Sequence, residues 1–327
     1  MRAIGQKNVY AVAFHGSGKV TFGRRPQREV LMGLSEKNKN QCILLVTVMI
    51  WGSLYVAGRV VLPHVPALFL LFLRFAVSSL LLLGAARLRR LGKIRREDRK
   101  ELLLVGVLGY FLSNAALLLG IQYANASFSS LINALSPVFI SLFAMLFLGE
   151  RMQKKDAASL GTAVVGAAVI IGNPGGGISG FGICCCVFSL IVWSYTTIHI
   201  KRLAAKYDPI LVTGCGMGIA ALFSLPSSLV YMKATGIPVE ITPSLLLPVA
   251  YICVICTAVS HLLWNRALAK TEATLCASFY PVQPLTSMLL GILLLRERLT
   301  VNFIVGAVLV LAAMLIHAVP ERRSVRI

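Results

Sequence analysis

Residues 126–172, ASFSSLINALSPVFISLFAMLFLGERMQKKDAASLGTAVVGAAVIIG, recur in altered form at residues 273–317. Each copy contains an apolar segment with a central proline, then a short charged turn, then an apolar segment rich in small residues. Pro284 follows Pro137 by 147 residues, and the Glu-Arg pair of the charged turn keeps the same interval. A pattern that repeats at constant spacing indicates a duplicated structural unit.

The composition places the chain in a lipid bilayer. Apolar residues make up 57% of the 327 residues, charged residues make up 13%, and the mean hydropathy is +0.81. That leaves too little polar surface to enclose a soluble core of this size. Long uninterrupted apolar runs favour membrane helices over the alternating pattern of a β-barrel.

About 20 apolar residues cross the hydrocarbon layer. Ten segments of suitable length are present: residues 41–61, 66–86, 101–121, 126–148, 156–172, 180–200, 210–231, 244–266, 274–295 and 301–319.

The ten predicted spans form two halves of five. Spans 1 and 6 carry a tryptophan in related contexts, Trp51 in WGSLYVAGRVV and Trp193 in WSYTTIHIKRL. An odd number of spans per half inverts the second half relative to the first. The predicted fold is therefore an all-α integral membrane protein with ten transmembrane helices in two inverted five-helix repeats. The expected domains are a basic, disordered tail, two repeats and a short second tail, at residues 1–40, 41–172, 180–319 and 320–327.

The net charge of +20 is distributed asymmetrically. With a cytoplasmic N-terminus, most of the 32 lysines and arginines fall in cytoplasmic segments, as the positive-inside rule requires. We therefore predict a multi-pass protein of the cytoplasmic membrane with both termini in the cytoplasm, and we set nucleic-acid binding aside. The basic run at residues 87–100 is interpreted as an orientation determinant that lies against anionic headgroups; the alternative is a specific lipid or regulatory role.

Met32 is an alternative start site to Met1.

Four passages carry a resemblance to a known family: WGSLYVAG from Trp51, the Arg-Phe pair at Arg74, and the passage at residues 117–151 with its second-half counterpart at 264–298. In these passages the chain resembles the EamA family of the drug/metabolite transporter superfamily. The resemblance covers about residues 41–319. It implies ten helices with cytoplasmic termini, a central cavity formed by helices 1–4 and 6–9, peripheral helices 5 and 10, and alternating access. One departure from the repeat is Arg296, which makes the second turn bulkier where the first half has Gly149.

Few ionisable groups lie inside the spans. All twelve acidic residues fall in tails, loops or span ends, which argues against proton-driven export of cationic drugs through a buried carboxylate. The sequence lacks the motifs of metal-dependent hydrolysis, nucleophilic catalysis and phosphate binding, so we predict no enzymatic activity and no cofactor. The eight cysteines are interpreted as small apolar residues, and no metal site is predicted.

Arg74 and His261 are the ionisable residues well inside predicted spans. A cation at the centre of a membrane helix costs about 2.5–3.5 kcal/mol on insertion scales, so Arg74 requires compensation. Its donors are expected to reach helix carbonyls or the side chains of Asn114 and Asn133; the alternative is an anionic group on the cargo. His261 is interpreted as a hydrogen-bonded core residue, with proton coupling or substrate contact as the alternative.

Neutral polar and aromatic side chains lie in the helices expected to form the cavity. Together they predict an amphipathic pocket for a small polar or zwitterionic organic molecule. Asn133 and Ser136 match Tyr280 and Gln283 in the repeat, so these four are the leading candidates. Together with His261, the candidate substrate-binding residues are Trp51, Tyr55, Ser113, Asn114, Asn133, Ser136, Trp193, Thr197, Trp264, Asn265, Tyr280 and Gln283.

Pro137 and Pro284 are predicted to interrupt the backbone hydrogen bonding of spans 4 and 9. A proline within a helix leaves a carbonyl one turn earlier without its donor and permits a kink. Two kinked helices at matching places in an inverted repeat are natural gates. A static bend is the alternative interpretation.

These features predict a secondary transporter that moves a small organic metabolite, amino-acid-like or similarly polar, outward across the membrane by alternating access. Its expected partners are that small molecule, the lipid bilayer and, if transport is coupled, a proton; the oligomeric state is left open. The alternatives are a proton-coupled multidrug exporter and a channel or scramblase with the same fold.

Overall fold

The structure, a computed structural model, is almost entirely helical. It consists of two compact units, Met1–Ile43 and Leu44–Ile327. The residues that it describes are 10–13, 21–24, 27–124, 126–133, 135–149, 158, 161–162, 165–166, 169, 179–236, 238–240, 242–280, 282–296 and 301–318.

The N-terminal unit contains a small antiparallel hairpin. Strands β1 (Tyr10–Ala13) and β2 (Thr21–Arg24) pair with Tyr10 opposite Arg24. Helix α1 (Gln27–Val61) begins well before the predicted start of span 1 at residue 41. Residues 27–40, which the sequence analysis assigns to the tail, belong to this helix.

The membrane unit agrees with the predicted spans. Eight helices in the described part of the chain are long and apolar enough to cross a bilayer, and their ends lie within a few residues of predicted spans 1–4 and 6–9. A shorter apolar helix covers Ile304–Ala313, within predicted span 10. Predicted span 5, residues 156–172, lies outside the described residues apart from isolated positions. The eight long helices are Asn38–Val61, Ala67–Leu88, Arg99–Tyr123, Phe128–Leu148, Gly180–Lys206, Pro209–Thr235, Pro243–Lys270 and Ala273–Leu295.

Several of these spans are composed of more than one helical segment. In the first half the segments after α1 are α2 (Ala67–Leu88), α3 (Arg99–Leu104), a first π-helical segment (Val105–Ser113), α4 (Asn114–Tyr123), α5 (Ala126–Asn133) and α6 (Ser136–Leu148). In the second half they are α7 (Gly180–Lys206), α8 (Pro209–Thr235), α9 (Pro243–Cys253), a second π-helical segment (Val254–Val259), α10 (Ser260–Lys270), α11 (Ala273–Ala277), α12 (Val282–Leu295) and α13 (Val301–Ala318).

The third span of each half contains one of the π-helical segments. In both halves a polar side chain bonds to a carbonyl five residues earlier. Asn114 Nδ2 donates to the Gly109 carbonyl at 3.1 Å, and Thr257 Oγ1 donates to the Ile252 carbonyl at 2.7 Å. These bonds satisfy carbonyls in the widened turns, and wide turns of this kind occur frequently at functional sites.

The sequence predicted that the two prolines lie within continuous helices. In the structure each proline lies near the start of a helix instead. Pro137 is in the first turn of α6, and Pro284 is in the first turn of α12. A proline is well tolerated there, because the first N–H groups of a helix have no intrahelical acceptor. Spans 4 and 9 are therefore each broken into two helices at matching places, instead of being kinked.

The helix ends that precede the two charged turns correspond in conformation. Gly149 ends α6 with φ of 69°, and Arg296 follows α12 with φ of 52°. The two residues occupy the same left-handed conformation, which closes a helix C-terminus. Arg296 adopts it at a cost of about 1–2 kcal/mol because it carries a Cβ.

The cavity described below lies where the two halves meet. Helix α2 packs along α8, and α7 packs along α4, α6 and the first π-helical segment. Helix α1 approaches α12 at Gly52, where a Cβ would lie 2.6 Å from the Gln283 carbonyl oxygen and 2.7 Å from Thr286 Cβ. Glycine at this position permits direct backbone contact beside the cavity.

Candidate functional site

A small cavity lies between the halves, among spans 1–4, 6, 8 and 9. Its volume is about 40 Å³, which is room for only a few water molecules. Its wall combines aromatic, amide, hydroxyl and aliphatic side chains with one guanidinium group. The lining residues are Trp51, Leu54, Tyr55, Arg74, Ser113, Asn114, Leu117, Asn133, Ser189, Trp193, His261, Tyr280 and Gln283.

Most of the predicted site residues meet in this cavity. Those that line it are Trp51, Tyr55, Arg74, Ser113, Asn114, Asn133, Trp193, His261, Tyr280 and Gln283. Ser136, Thr197, Trp264 and Asn265 lie outside the lining, as do Pro137 and Pro284. Leu54, Leu117 and Ser189 also line the cavity and were not predicted from the sequence. Leu54 and Leu117 carry no signal that distinguishes them from other leucines, and Ser189 carries none beyond its small polar side chain.

The aromatic part of the wall is centred on Trp51. Its ring centroid lies 5.1 Å from that of Trp264, 5.8 Å from that of Tyr280 and 5.9 Å from that of Trp193. His261 lies 5.2 Å from Trp51. Trp193 Nε1 donates to the Tyr280 hydroxyl. These distances are typical of tilted and edge-to-face aromatic pairs, so the wall is a packed cluster and not a set of isolated rings.

Ser136, one of the leading candidates, has a structural role. Its Oγ donates to the Asn133 carbonyl at 2.6 Å. That carbonyl is four residues before Pro137, which has no N–H to donate to it. Asn133 itself donates from Nδ2 to the Ser129 carbonyl at 3.2 Å and lines the cavity. The pair therefore stabilises the break between α5 and α6, and only Asn133 faces the cavity.

Three other predicted residues also lie away from the cavity. Thr197 Oγ1 donates to the Trp193 carbonyl at 2.8 Å, one turn earlier on α7. Asn265 Nδ2 donates to the Tyr110 hydroxyl at 2.8 Å and to Thr213 Oγ1 at 2.7 Å. Trp264 is fully buried behind Trp51. These side chains support the helices that form the wall.

Arg74 lines the cavity with no exposed surface. Its Nε donates to Thr257 Oγ1 at 2.9 Å, and its Cζ lies 5.3 Å from the Phe75 ring centroid. The expected partners Asn114 and Asn133 do not accept from it; their amide groups donate to backbone carbonyls instead. Among the described residues, nothing accepts a hydrogen bond from Nη1 or Nη2.

The shorter of two hydrogen-bond contacts at His261 Nδ1 is to a backbone carbonyl, and the other is to Ser260 Oγ at 3.5 Å. The Nδ1 atom lies 3.0 Å from the Thr257 carbonyl oxygen. A carbonyl only accepts, so Nδ1 carries a proton and donates it. The ring also lies 5.6 Å from Tyr110 and 5.7 Å from Trp193.

Two further polar atoms in the cavity wall are buried without a hydrogen-bond partner in the described part of the structure. Trp51 Nε1 is an unused donor, and Gln283 Oε1 is an unused acceptor. The Gln283 amide is oriented by Nε2, which donates to the Tyr55 hydroxyl at 3.2 Å. Three residues of the cavity lining therefore have unused hydrogen-bonding groups: donors on Arg74 and Trp51, and an acceptor on Gln283.

Polar contacts join neighbouring spans at both ends of the helix bundle. At one end, His199 Nδ1 lies 2.8 Å from Glu101 Oε1, and Asp98 accepts from Lys206 Nζ at 2.8 Å and from the Tyr207 hydroxyl at 2.6 Å. The hydrogen bond from Lys206, together with that from Tyr207, holds the pKa of the Asp98 carboxyl below its ordinary value. These contacts therefore favour the ionised form of Asp98.

At the other end the contacts involve backbone groups. Arg59 Nη1 donates to the Gln122 carbonyl at 3.1 Å, and Glu240 N donates to the His64 carbonyl at 2.9 Å. These contacts join spans 1 and 3 and connect the two halves.

Known proteins with related sequences are transporters. The sequence profile of the EamA-like transporter family matches residues 39–172 and again residues 180–318. An uncharacterized transporter of Archaeoglobus fulgidus is 27% identical, over 84% of this chain and 96% of its own. A protein of Streptantibioticus cattleyicolor, named "Probable terminal-alkyne amino-acid exporter", is 29% identical, over 84% of this chain and 92% of its own.

A solved structure shares the fold. It matches with a TM-score of 0.68 and 18% sequence identity, and it covers 88% of this chain and 99% of its own. The two profile matches cover nearly all of the chain outside its ends and fall on its two halves, each of which contains a broken span at the same place. The protein belongs to the EamA-like transporter family, whose members are membrane transporters and not enzymes.

Proposed function

We propose that this protein is a secondary transporter that exports a small polar or zwitterionic organic metabolite across the cytoplasmic membrane by alternating access. The observation that carries the proposal is the cavity between the two halves, which is lined by both polar and aromatic groups. Binding sites of secondary transporters built from repeats lie near the bilayer midplane at the repeat interface. Neutral hydrogen-bonding groups and aromatic faces suit a small amphipathic molecule.

The small volume of the cavity supports a closed state between two open ones. About 40 Å³ is far below the roughly 300–1,000 Å³ typical of ligand pockets, so substrate entry requires the helices to separate. Broken spans provide places where they can do so. The breaks before α6 and α12 are at matching positions next to the cavity residues Asn133 and Tyr280. Rotation at the break in one half would open the cavity to one side of the membrane, and rotation at the break in the other half would open it to the opposite side.

An amino-acid-like substrate and outward transport have additional support. The Streptantibioticus cattleyicolor relative is named as an amino-acid exporter. The unused donors and acceptor in the present cavity are complementary to a molecule that has both acceptor and donor groups.

Counterflow in proteoliposomes tests this function. Vesicles containing the purified protein are loaded with one of a panel of amino acids, nucleosides or sugars, and uptake of the labelled compound is measured with and without internal compound. A carrier gives saturable uptake that internal substrate accelerates. The Ser227→Ala variant is a suitable control, since Ser227 lies outside the cavity lining and bonds to its own helix at the Phe223 carbonyl. Linear, non-saturating flux would instead indicate a channel or scramblase.

Proton coupling through His261 is the second candidate mechanism, because His261 lines the cavity. We expect the His261→Asn variant to retain the pH dependence of wild-type transport. The asparagine amide can take the place of Nδ1 and donate to the Thr257 carbonyl, which is the bond that the histidine makes. The measurement is the initial rate of uptake across an imposed pH gradient. Loss of the pH dependence in this variant, with substrate affinity preserved, would assign the coupling proton to His261.

A further inference from the structure

The guanidinium group of Arg74 has unused hydrogen-bonding capacity in a buried position. Only Nε has a partner, Thr257 Oγ1, and this bond orients the group. Nη1 and Nη2 are buried, and within the described structure they have no acceptor. A buried cation normally pairs with an acid or with several acceptors, because removing it from water is costly.

Acidic side chains from the chain itself do not supply that compensation. All twelve acidic residues of the sequence lie in tails, loops or span ends. Glu101 is engaged with His199, Asp98 with Lys206, and Glu240 lies beside His64. The cavity that Arg74 lines is therefore positively charged, and no acidic side chain is among its lining residues.

We propose that Arg74 binds the carboxylate of the transported molecule, and that this site selects α-amino carboxylates. The two unused groups Nη1 and Nη2 form a planar fork that matches a carboxylate with two parallel hydrogen bonds. Trp51 Nε1, an unused donor in the same wall, is available for a further bond to a carboxylate oxygen. The substrate ammonium group bonds to Gln283 Oε1 and lies against the aromatic rings.

The proposed site also predicts that the carrier discriminates between substrates of different charge. An amine or an amino-acid amide brings a positive charge into a cavity that already contains Arg74 and has no carboxylate to offer in return, so its binding is unfavourable. The carboxylate of a zwitterion neutralises Arg74, and its ammonium group contributes one positive charge. The loaded cavity therefore has one formal positive charge, as it does in the empty carrier. This proposal rests on the proposed transport function, and it narrows the substrate class within that function.

Binding of an amino acid and of its isosteric amide to the purified, full-length protein tests the proposal. The probes are L-leucine, L-phenylalanine and L-glutamine, each compared with its α-amide, in a thermal-shift titration of wild-type protein and the Arg74→Gln variant. We expect at least one acid to stabilise the wild type and its amide to bind about 10- to 100-fold more weakly. In Arg74→Gln the acid should lose about the same factor, while the affinity for the amide stays the same or rises.

The comparison does not depend on the variant folding well, because the acid and amide are first compared on the wild-type protein. An amide that binds as tightly as its acid would overturn the proposal, and so would an Arg74→Gln variant that discriminates between them as the wild type does. Counterflow by the wild-type protein of a substrate without a carboxylate, with no binding of any amino acid, would also overturn it but leave the transport function intact. Failure of the transport function itself would appear as the absence of counterflow for every compound in the panel.

Discussion

The Gly52→Ala variant is expected to transport about 5- to 100-fold more slowly than the wild type. A Cβ at Gly52 would lie 2.6 Å from the Gln283 carbonyl oxygen and 2.7 Å from Thr286 Cβ. Both atoms belong to or adjoin the backbone of α12, so they cannot move aside as the end of a flexible side chain can. Overpacking of this kind costs about 1–3 kcal/mol. A carrier that works by alternating access passes through the closed state in every cycle. Raising the free energy of that state therefore slows transport.

Gly84→Ala is the matched control, because a Cβ at Gly84 would meet nothing within 4 Å. Both substitutions add one methyl group to a glycine within a membrane helix. The measurement is the initial rate of counterflow for equal amounts of reconstituted protein. If Gly52→Ala and Gly84→Ala transport equally fast, α1 and α12 do not come together during the cycle, and the closed state described above is not an intermediate of transport.

Substitution of Trp51 by alanine is expected to lower the free energy of unfolding by about 3–5 kcal/mol, as for other large aromatic residues in packed interiors. Trp51 is 5% exposed and contacts Trp193, Trp264, Tyr280 and His261. Alanine leaves a void in the wall shared by the two halves. The measurement is equilibrium unfolding in detergent, followed by tryptophan fluorescence with a correction for the missing residue.

Trp51→Phe separates packing from hydrogen bonding. Phenylalanine retains most of the ring contacts, so we expect it to recover most of the stability. It lacks Nε1, which is an unused donor in the cavity wall, so its affinity for a carboxylate substrate should remain reduced. If Trp51→Ala unfolds at the same denaturant concentration as the wild type, the aromatic cluster does not hold the two halves together.

The positions of the eight long helices in the described residues followed from the sequence, but the interruptions within them did not. The segment Val105–Ser113 is as apolar as an ordinary membrane helix, and its π-helical form is associated with the bond from Asn114 to the Gly109 carbonyl. That bond joins residues five apart, a spacing that hydrophobic periodicity does not reveal. Pro137 indicated an interruption, but a kink and a break leave the same sequence pattern when both flanks are apolar.

The composition of the cavity was also largely predictable, since polar side chains in membrane helices tend to face the protein interior. Prediction failed where two side chains share one helix face. Trp193 and Thr197 are one turn apart on α7, yet only Trp193 reaches the cavity. The partner of Arg74 was not predictable either, because Thr257 lies in the other half of the sequence and the contact is a product of the tertiary fold.

The central claim is that the cavity opens alternately to each side of the membrane. The most direct test is modification of a Ser189→Cys variant, which places a thiol in the cavity wall, in a protein whose exposed cysteines Cys42 and Cys184 are replaced by serine. A membrane-impermeant thiol reagent is applied to right-side-out and to inverted vesicles. We predict reaction from both sides, with substrate changing the two rates in opposite directions. Reaction from one side only, or from both sides at rates that substrate leaves unchanged, would contradict alternating access at this cavity.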